Sequence, residues 1–183
     1  MTSMTTMPYR EWTVGDLANL PDDGRRYELV DGVLLVSSAP SDLHQVASRN
    51  LFRLLDAHAP EPMEVLFAPV NVIFTSTRLL QPDLMVFPEL RDLLGKPAER
   101  ALPLLAIEVL SPSTRAVDTT LKRHVCEQGG IPSYWLVDPI EPSVTILELT
   151  DGMYVERGTW GGDEAVEVTA PFALSFRPSR LVR

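Results

Sequence analysis

Period-two alternation dominates this chain, and two stretches of helical spacing interrupt it. Tyr27-Glu28-Leu29-Val30-Asp31-Gly32-Val33-Leu34-Leu35-Val36 reads as two short strands turning at Asp-Gly, the strongest short-range hairpin signal. From Ser41, a candidate N-cap, apolar residues fall at Leu43, Val46, Ala47, Leu51, Leu54 and Leu55, which predicts an amphipathic helix ending before Pro60. Strands are predicted next over residues 64–74, 82–87 and 102–110. The last is apolar on both alternating faces, as a strand central to a sheet must be. Ser111-Pro112-Ser113-Thr114 opens a second helix, with Ser113 as its N-cap and Val117, Leu121 and Val125 as its buried stripe. Gly129-Gly130 stops that helix. A strand at 134–137 and alternating segments at 144–149, 154–157 and 165–168 follow, divided by turn residues such as Asp151-Gly152. The order of hairpin, helix, three strands, helix, strand and antiparallel meander predicts an α/β protein, a mixed sheet with helices packed on it.

The 183 residues, 45% of them hydrophobic, suit one core. The expected organisation is an N-terminal extension over 1–26 and a single domain over 27–183. The opening run MTSMTTMPYREW lacks an apolar signal region, and the nearly apolar run 102–110 is too short to cross a bilayer, so a soluble protein with no membrane partner is expected. One cysteine, Cys126, cannot close an internal disulfide, in keeping with a cytoplasmic location. Charge complicates any nucleic-acid role. A net charge of −9 opposes a phosphate backbone, unless a local basic strip acts within a screening length of about 8 Å. Three strips qualify: Arg49 with Arg53; Arg115 with Lys122 and Arg123; and Arg177, Arg180 and Arg183. Solvated surface charge is the plainer reading of each.

Chemistry is suggested by charged residues that break the pattern. Glu108 stands inside the apolar strand between Ile107 and Val109, where an unpaired carboxylate costs several kcal/mol or protonates. A salt-bridged core glutamate and a metal ligand both satisfy that constraint. Asp83 opens the strand Leu84-Met85-Val86-Phe87 after Pro82; alone this is ordinary turn chemistry. If adjacent strands bring the two together, their repulsion at about 4 Å is about 4 kcal/mol at an effective dielectric near 20, and a shared Mg²⁺ reverses it. Lys122 lies four residues after Asp118. The two form either an exposed helix pair or, with Lys122 on the sheet-facing edge, a group reaching back toward a metal-bound phosphate. His44, at the edge of the first helix's apolar stripe, is either a half-buried core histidine or a site residue. No phosphate-binding glycine loop, HExxH or GxSxG motif is present.

YELVDGVLLV (27–36), the helix carrying His44, Pro82-Asp83-Leu84, AIEVLSPST (106–114), Lys122 and GIPSYWLVDP (130–139) together resemble the Uma-type restriction endonucleases, a branch of the PD-(D/E)XK nuclease superfamily. The resemblance spans roughly residues 27–149, and AIEVLSPST followed by GIPSYWLVDP is its specific part. It implies a restriction-endonuclease-like mixed sheet flanked by helices, Mg²⁺ or Mn²⁺ dependence, and acidic ligands on neighbouring strands. By position Asp83 is the first ligand and Glu108 the second. The superfamily lysine, two residues after the second acid, is Leu110 here, and Lys122 is its substitute. His44 matches a polar position that orients a ligand or water. Many relatives carry tyrosine where Val125 stands, so a hydroxyl role is lost there. The implied function is metal-dependent hydrolysis of DNA by a cytoplasmic homodimer, with Asp83, Glu108, Lys122 and His44 as site residues. The rival is a non-catalytic interaction or oligomerisation module that retains the fold, which the negative charge favours.

Overall fold

A computed structural model describes residues 10–37, 39–89 and 102–183; the first nine residues of the polar opening run lie outside that set. The predicted hairpin forms from β1 (Arg26–Val30) and β2 (Val33–Ser37), turning where Asp31 and Gly32 both take positive φ, at 50° and 75°. A four-residue helix, α1 (Val14–Leu17), precedes it, and the Trp12 N–H donates to Gly32 O at 2.8 Å. The amphipathic helix is α2 (Asp42–Asp56), capped as expected by Ser41, whose hydroxyl accepts from the His44 N–H.

The single strand expected over 64–74 is two strands in two different sheets. β3 (Glu64–Phe67) joins a six-stranded sheet and β4 (Val72–Thr75) a four-stranded one. Pro69 falls between them and has no N–H with which to continue a ladder. A three-residue strand, β5 (Arg78–Leu80), too short to show a period, returns beside β4 and β1, completing the order β2-β1-β5-β4. The large sheet runs β10-β9-β8-β7-β6-β3 and contains β6 (Leu84–Phe87), β7 (Leu105–Val109), β8 (Ser133–Asp138), β9 (Ser143–Thr150) and β10 (Met153–Gly161). All its pairs are antiparallel except β7 with β8. That parallel pair needs a crossover, and the second helix supplies it.

β7 is central, as its two-sided apolar pattern predicts, and every residue in it is buried. Leu105, Ile107 and Val109 share a core with Ala47, Leu51 and Leu55 of α2, while Ala106 and Leu110 face the cluster of Val125, Cys126 and Tyr134. Alternation therefore turns Glu108 toward the crossover helix. Each fully buried Leu or Ile stabilises the fold by about 1.5–3 kcal/mol, so this strand tolerates one costly carboxylate.

The crossover helix departs from its expected face. It consists of α3 (Arg115–Val117), a π-helical stretch (Asp118–Lys122) and α4 (Arg123–Gly129). The wider π turn rotates the phase. Leu121 is 45% exposed and Val117 half-buried, whereas Asp118, Lys122, Val125 and Cys126 face inward. Its N-cap is Thr114 and not Ser113, because Ser111 already accepts the Thr114 and Arg115 N–H groups through Oγ and O. The meander comprises β8, β9 and β10; the segment at 165–168 leaves it, and β11 (Val166–Val168) pairs with β12 (Leu174–Phe176) as a separate ribbon. The ring of Phe176 stacks on Trp135, closing that end of the core.

Gly130 ends α4 at φ 79°, and an added Cβ there meets nothing within 4 Å. Gly130→Ala should therefore cost about 1 kcal/mol of backbone strain alone, seen as a lower urea midpoint with unchanged slope.

Candidate active site

The register Leu84↔Ile107 places Asp83, one step earlier, opposite Glu108 on the neighbouring strand. Asp83 is 5% exposed and fully engaged. Arg26 Nη1 donates to its Oδ1 at 2.8 Å; the Val109 N–H donates to its Oδ2 at 2.8 Å, and His44 Nε2 lies 3.1 Å from that same oxygen. A carboxylate only accepts, so Nε2 carries the proton and Nδ1 faces the Ser48 hydroxyl at 3.4 Å. The first turn of α2 and the start of β1 thus converge on one oxygen pair.

Glu108 meets Lys122, whose Nζ is 3.3 Å from Oε1. The same ammonium is 2.9 Å from Glu28 Oε2 and 3.2 Å from Asp118 Oδ1, and all four side chains are almost wholly buried. Lys122 is therefore not the exposed partner of Asp118 that the i, i+4 spacing alone allows. Glu28 Oε1 accepts the Gln81 N–H at 2.7 Å, which ties β1 to the turn carrying Asp83. Glu28 Oε2 and Asp118 Oδ1 are held by ion pairing to Nζ and have no other aligned hydrogen-bond donor. Four carboxylates, at Glu28, Asp83, Glu108 and Asp118, face two permanent cations, Arg26 and Lys122. The cluster is short of positive charge.

The two acids respond in opposite directions. Burial would raise the Asp83 carboxyl, but the His44 hydrogen bond, the Arg26 charge and the Val109 N–H together lower it to about 2. Burial pushes Glu108 well above the ordinary range; Lys122 opposes that, while Asp118, Asp83 and Glu28 reinforce it. Desolvation would discharge Lys122, yet Glu108, Glu28 and Asp118 outweigh it and keep the ammonium protonated. Of the two acids, Glu108 is thus the one whose protonated form the fold favours.

Among the described residues no three His, Cys, Asp or Glu side chains are arranged to hold a metal ion. The geometry explains why: Arg26, His44 and the Val109 N–H occupy Asp83, and Lys122 stands among the other three acids. The donors nevertheless suit a hard divalent cation. Mg²⁺ takes oxygen ligands, commonly one or two carboxylates completed by water and phosphate, and this cluster has surplus negative charge and two buried carboxylate oxygens whose sole partner is the shared Lys122 ammonium. A cavity of about 170 Å³ reaches Glu28 and Lys122 and is lined also by Ser37, Ser113, Thr114 and Val117.

The structure joins Asp83 to His44 and Glu108 to Lys122, and links the pairs through the β6–β7 register. Sequence reasoning passed over Arg26 and Glu28. Glu28 resembles a solvent-face residue of a hairpin; the available signal was apolar Val30 two positions on, which puts the acid on a buried face. The Arg115, Lys122 and Arg123 strip does not exist as drawn, since Lys122 is buried and Arg115 pairs with Asp138. Arg49 and Arg53 are exposed on α2, and Arg177, Arg180 and Arg183 are exposed near Asp163.

Residues 14–179 match the Uma2 family, whose description is "putative restriction endonuclease". No curated protein matches the chain. The crystal structure of a "putative nuclease belonging to DUF820" from Anabaena variabilis ATCC 29413 superposes with a TM-score of 0.72 at 22% identity, over 93% of this chain and 97% of that one. That likeness establishes the restriction-endonuclease-like fold, with its mixed sheet, flanking helices and C-terminal meander.

A carboxyl raised on folding contributes stability that is complete below its unfolded value, about 4.3, and is lost as pH climbs through the folded value. Glu108→Gln removes that loss. In buffer containing chelator, the melting temperature of the variant relative to wild type should therefore rise as pH climbs above the ordinary glutamate range, at roughly 2–4 °C per kcal/mol. A flat difference would show that Glu108 titrates as an ordinary glutamate.

Proposed function

The chain belongs to the Uma2 family of the PD-(D/E)XK nuclease superfamily, and from that starting point we propose that it is a metal-dependent endonuclease hydrolysing DNA phosphodiester bonds. The observation that carries the proposal is the placement of Asp83 opposite Glu108, with Lys122 at 3.3 Å, in a buried cluster short of positive charge.

Asp83 and Glu108 would hold Mg²⁺ or Mn²⁺, which when bound supplies an acidified water and a polarised phosphate. The protein's own groups do the rest. His44 donates Nε2–H to Asp83 and fixes its orientation, with Ser48 behind the ring. The Val109 N–H holds the same carboxylate to β7. Lys122 stays protonated, so its role is to offset negative charge developing on the phosphate and not to abstract a proton. Glu28 and Asp118 hold that ammonium in place. The cavity between the β1–β2 hairpin and the start of the crossover helix is the approach to it. Phosphate steering falls to the exposed arginines of α2 and of the C-terminal segment, because the chain as a whole is acidic. The proposed setting is cytoplasmic. A homodimer would present a site to each strand of a duplex. The lack of a three-ligand set among the described residues favours the rival, a non-catalytic module; supercoiled plasmid incubated with Mg²⁺ or Mn²⁺ decides between them.

Mg²⁺ or Mn²⁺ should raise the melting temperature of wild type by mass action, and Asp83→Asn should abolish the shift. Identical responses from the two proteins would remove Asp83 from the site.

Lys122→Ala should cut plasmid nicking by about 10²-fold. Because it strands three buried carboxylates, it should also lower stability by about 3–5 kcal/mol, far beyond the few tenths expected of an exposed pair. Leu110 lies on the Glu108 face of the sheet, so Leu110→Lys in the Lys122→Ala background should recover part of both losses, read by plasmid nicking and urea denaturation. Full activity in Lys122→Ala would exclude the lysine from the chemistry.

A further inference from the structure

Each of the two acids proposed as ligands is held by a resident cation, and the two cations differ in how firmly they are seated. Lys122 is 3% exposed and within 3.3 Å of three carboxylates. Arg26 has one direct carboxylate partner, Asp83 at 2.8 Å, and its side chain is 22% exposed. It also feels the charges of Glu108 and Glu28. Arg26 pairs in register with Ser37, and Ser37 lines the cavity that reaches Glu28 and Lys122. Glu28, two residues on, shares the hairpin face with Arg26. The partly exposed guanidinium therefore stands between solvent and the buried Asp83, on the hairpin face it shares with Glu28 and Ser37.

We infer that Arg26 is an exchangeable counter-cation: it competes with a divalent cation for Asp83 and, once displaced, binds the substrate phosphate. This rests on the proposed metal-dependent nuclease reading. Charge dictates the competition, since a guanidinium and a divalent cation cannot share one carboxylate oxygen without strong mutual repulsion. Exposure selects Arg26 over Lys122, because a partly exposed cation held by one carboxylate leaves more easily than a buried one enclosed by three. Chemistry supplies the destination: the planar fork that grips a carboxylate matches a phosphate equally well. Arg26 would thereby couple metal arrival to substrate capture.

The two roles predict changes of opposite sign in one variant. In Arg26→Gln, calorimetric titration with MgCl₂ in the absence of DNA should show binding about tenfold tighter than wild type, because the competitor is gone. In the same variant KM for plasmid should rise about tenfold, because the phosphate contact is lost. Arg26→Lys keeps the charge and loses the fork, so its Mg²⁺ affinity should stay near wild type while KM rises. A residue serving only to brace Asp83 would weaken Mg²⁺ binding when removed. In wild type, whatever the fate of the variants, the Arg26 Nε–H resonance should shift as Mg²⁺ is added. Mg²⁺ binding in wild type that Arg26→Gln leaves unchanged or weakens, or an Arg26 resonance indifferent to Mg²⁺, overturns this inference alone. Absence of Mg²⁺ binding from wild type and Arg26→Gln alike overturns the metal reading and this inference together.

Discussion

An ammonium enclosed by three carboxylates sets the terms for this fold. Lys122 touches Glu28 from the first hairpin, Glu108 from the central strand and Asp118 from its own helix, all buried. None of these charges could be held alone, since an isolated buried ion costs several kcal/mol even after relaxation. The hairpin must dock where Glu28 meets Lys122. The crossover helix must change phase by a π turn, so that Asp118 and Lys122 point inward and Leu121 outward. The turn before β6 must sit where the Gln81 N–H reaches Glu28. Small and large sheets are thus joined through charge as well as through the apolar contacts of Val30, Leu80 and Leu136.

Such a cluster is a poor way to gain stability. Well-packed apolar residues of similar volume commonly serve as well or better than a buried ion network. Here the network also leaves two buried carboxylate oxygens with no partner but the shared Lys122 ammonium and holds Glu108 far above its ordinary titration range. Unfavourable electrostatics are thus concentrated at the end of a central strand, beside a cavity, and under the proposed function a bound cation would relieve that repulsion. The acidity of the whole chain then becomes less of an obstacle. The local balance is set by Arg26, Lys122 and any bound cation, while exposed arginines lie on α2 and near the C-terminal end.

The hairpin at Asp31-Gly32, the Ser41-capped helix, the central β7 and the Gly130 stop were legible in the sequence, because each is dictated locally: by a turn needing positive φ, by a side-chain cap, by unbroken apolar alternation. Glu108 and Asp83 were legible as candidates for a related reason, since a carboxylate in or beside an apolar strand violates the local pattern. Other features were not written in any short window. The split of 64–74 between two sheets depends on which partner strands are free on either side of Pro69. The crossover stripe at Val117, Leu121 and Val125 obeys helical spacing perfectly well, and only the demand for Lys122 inside the core overrides it. Arg26 and Glu28 joined the cluster because a hairpin far away in sequence brings them to Asp83 and Lys122, whereas Asp118 lies one turn from Lys122 and only its burial was hidden. Local periodicity determined which elements form; the charge balance around Lys122, a sum over residues from Arg26 to Lys122, could be decided only by the tertiary structure, because electrostatic partners are chosen by distance in space and not along the chain.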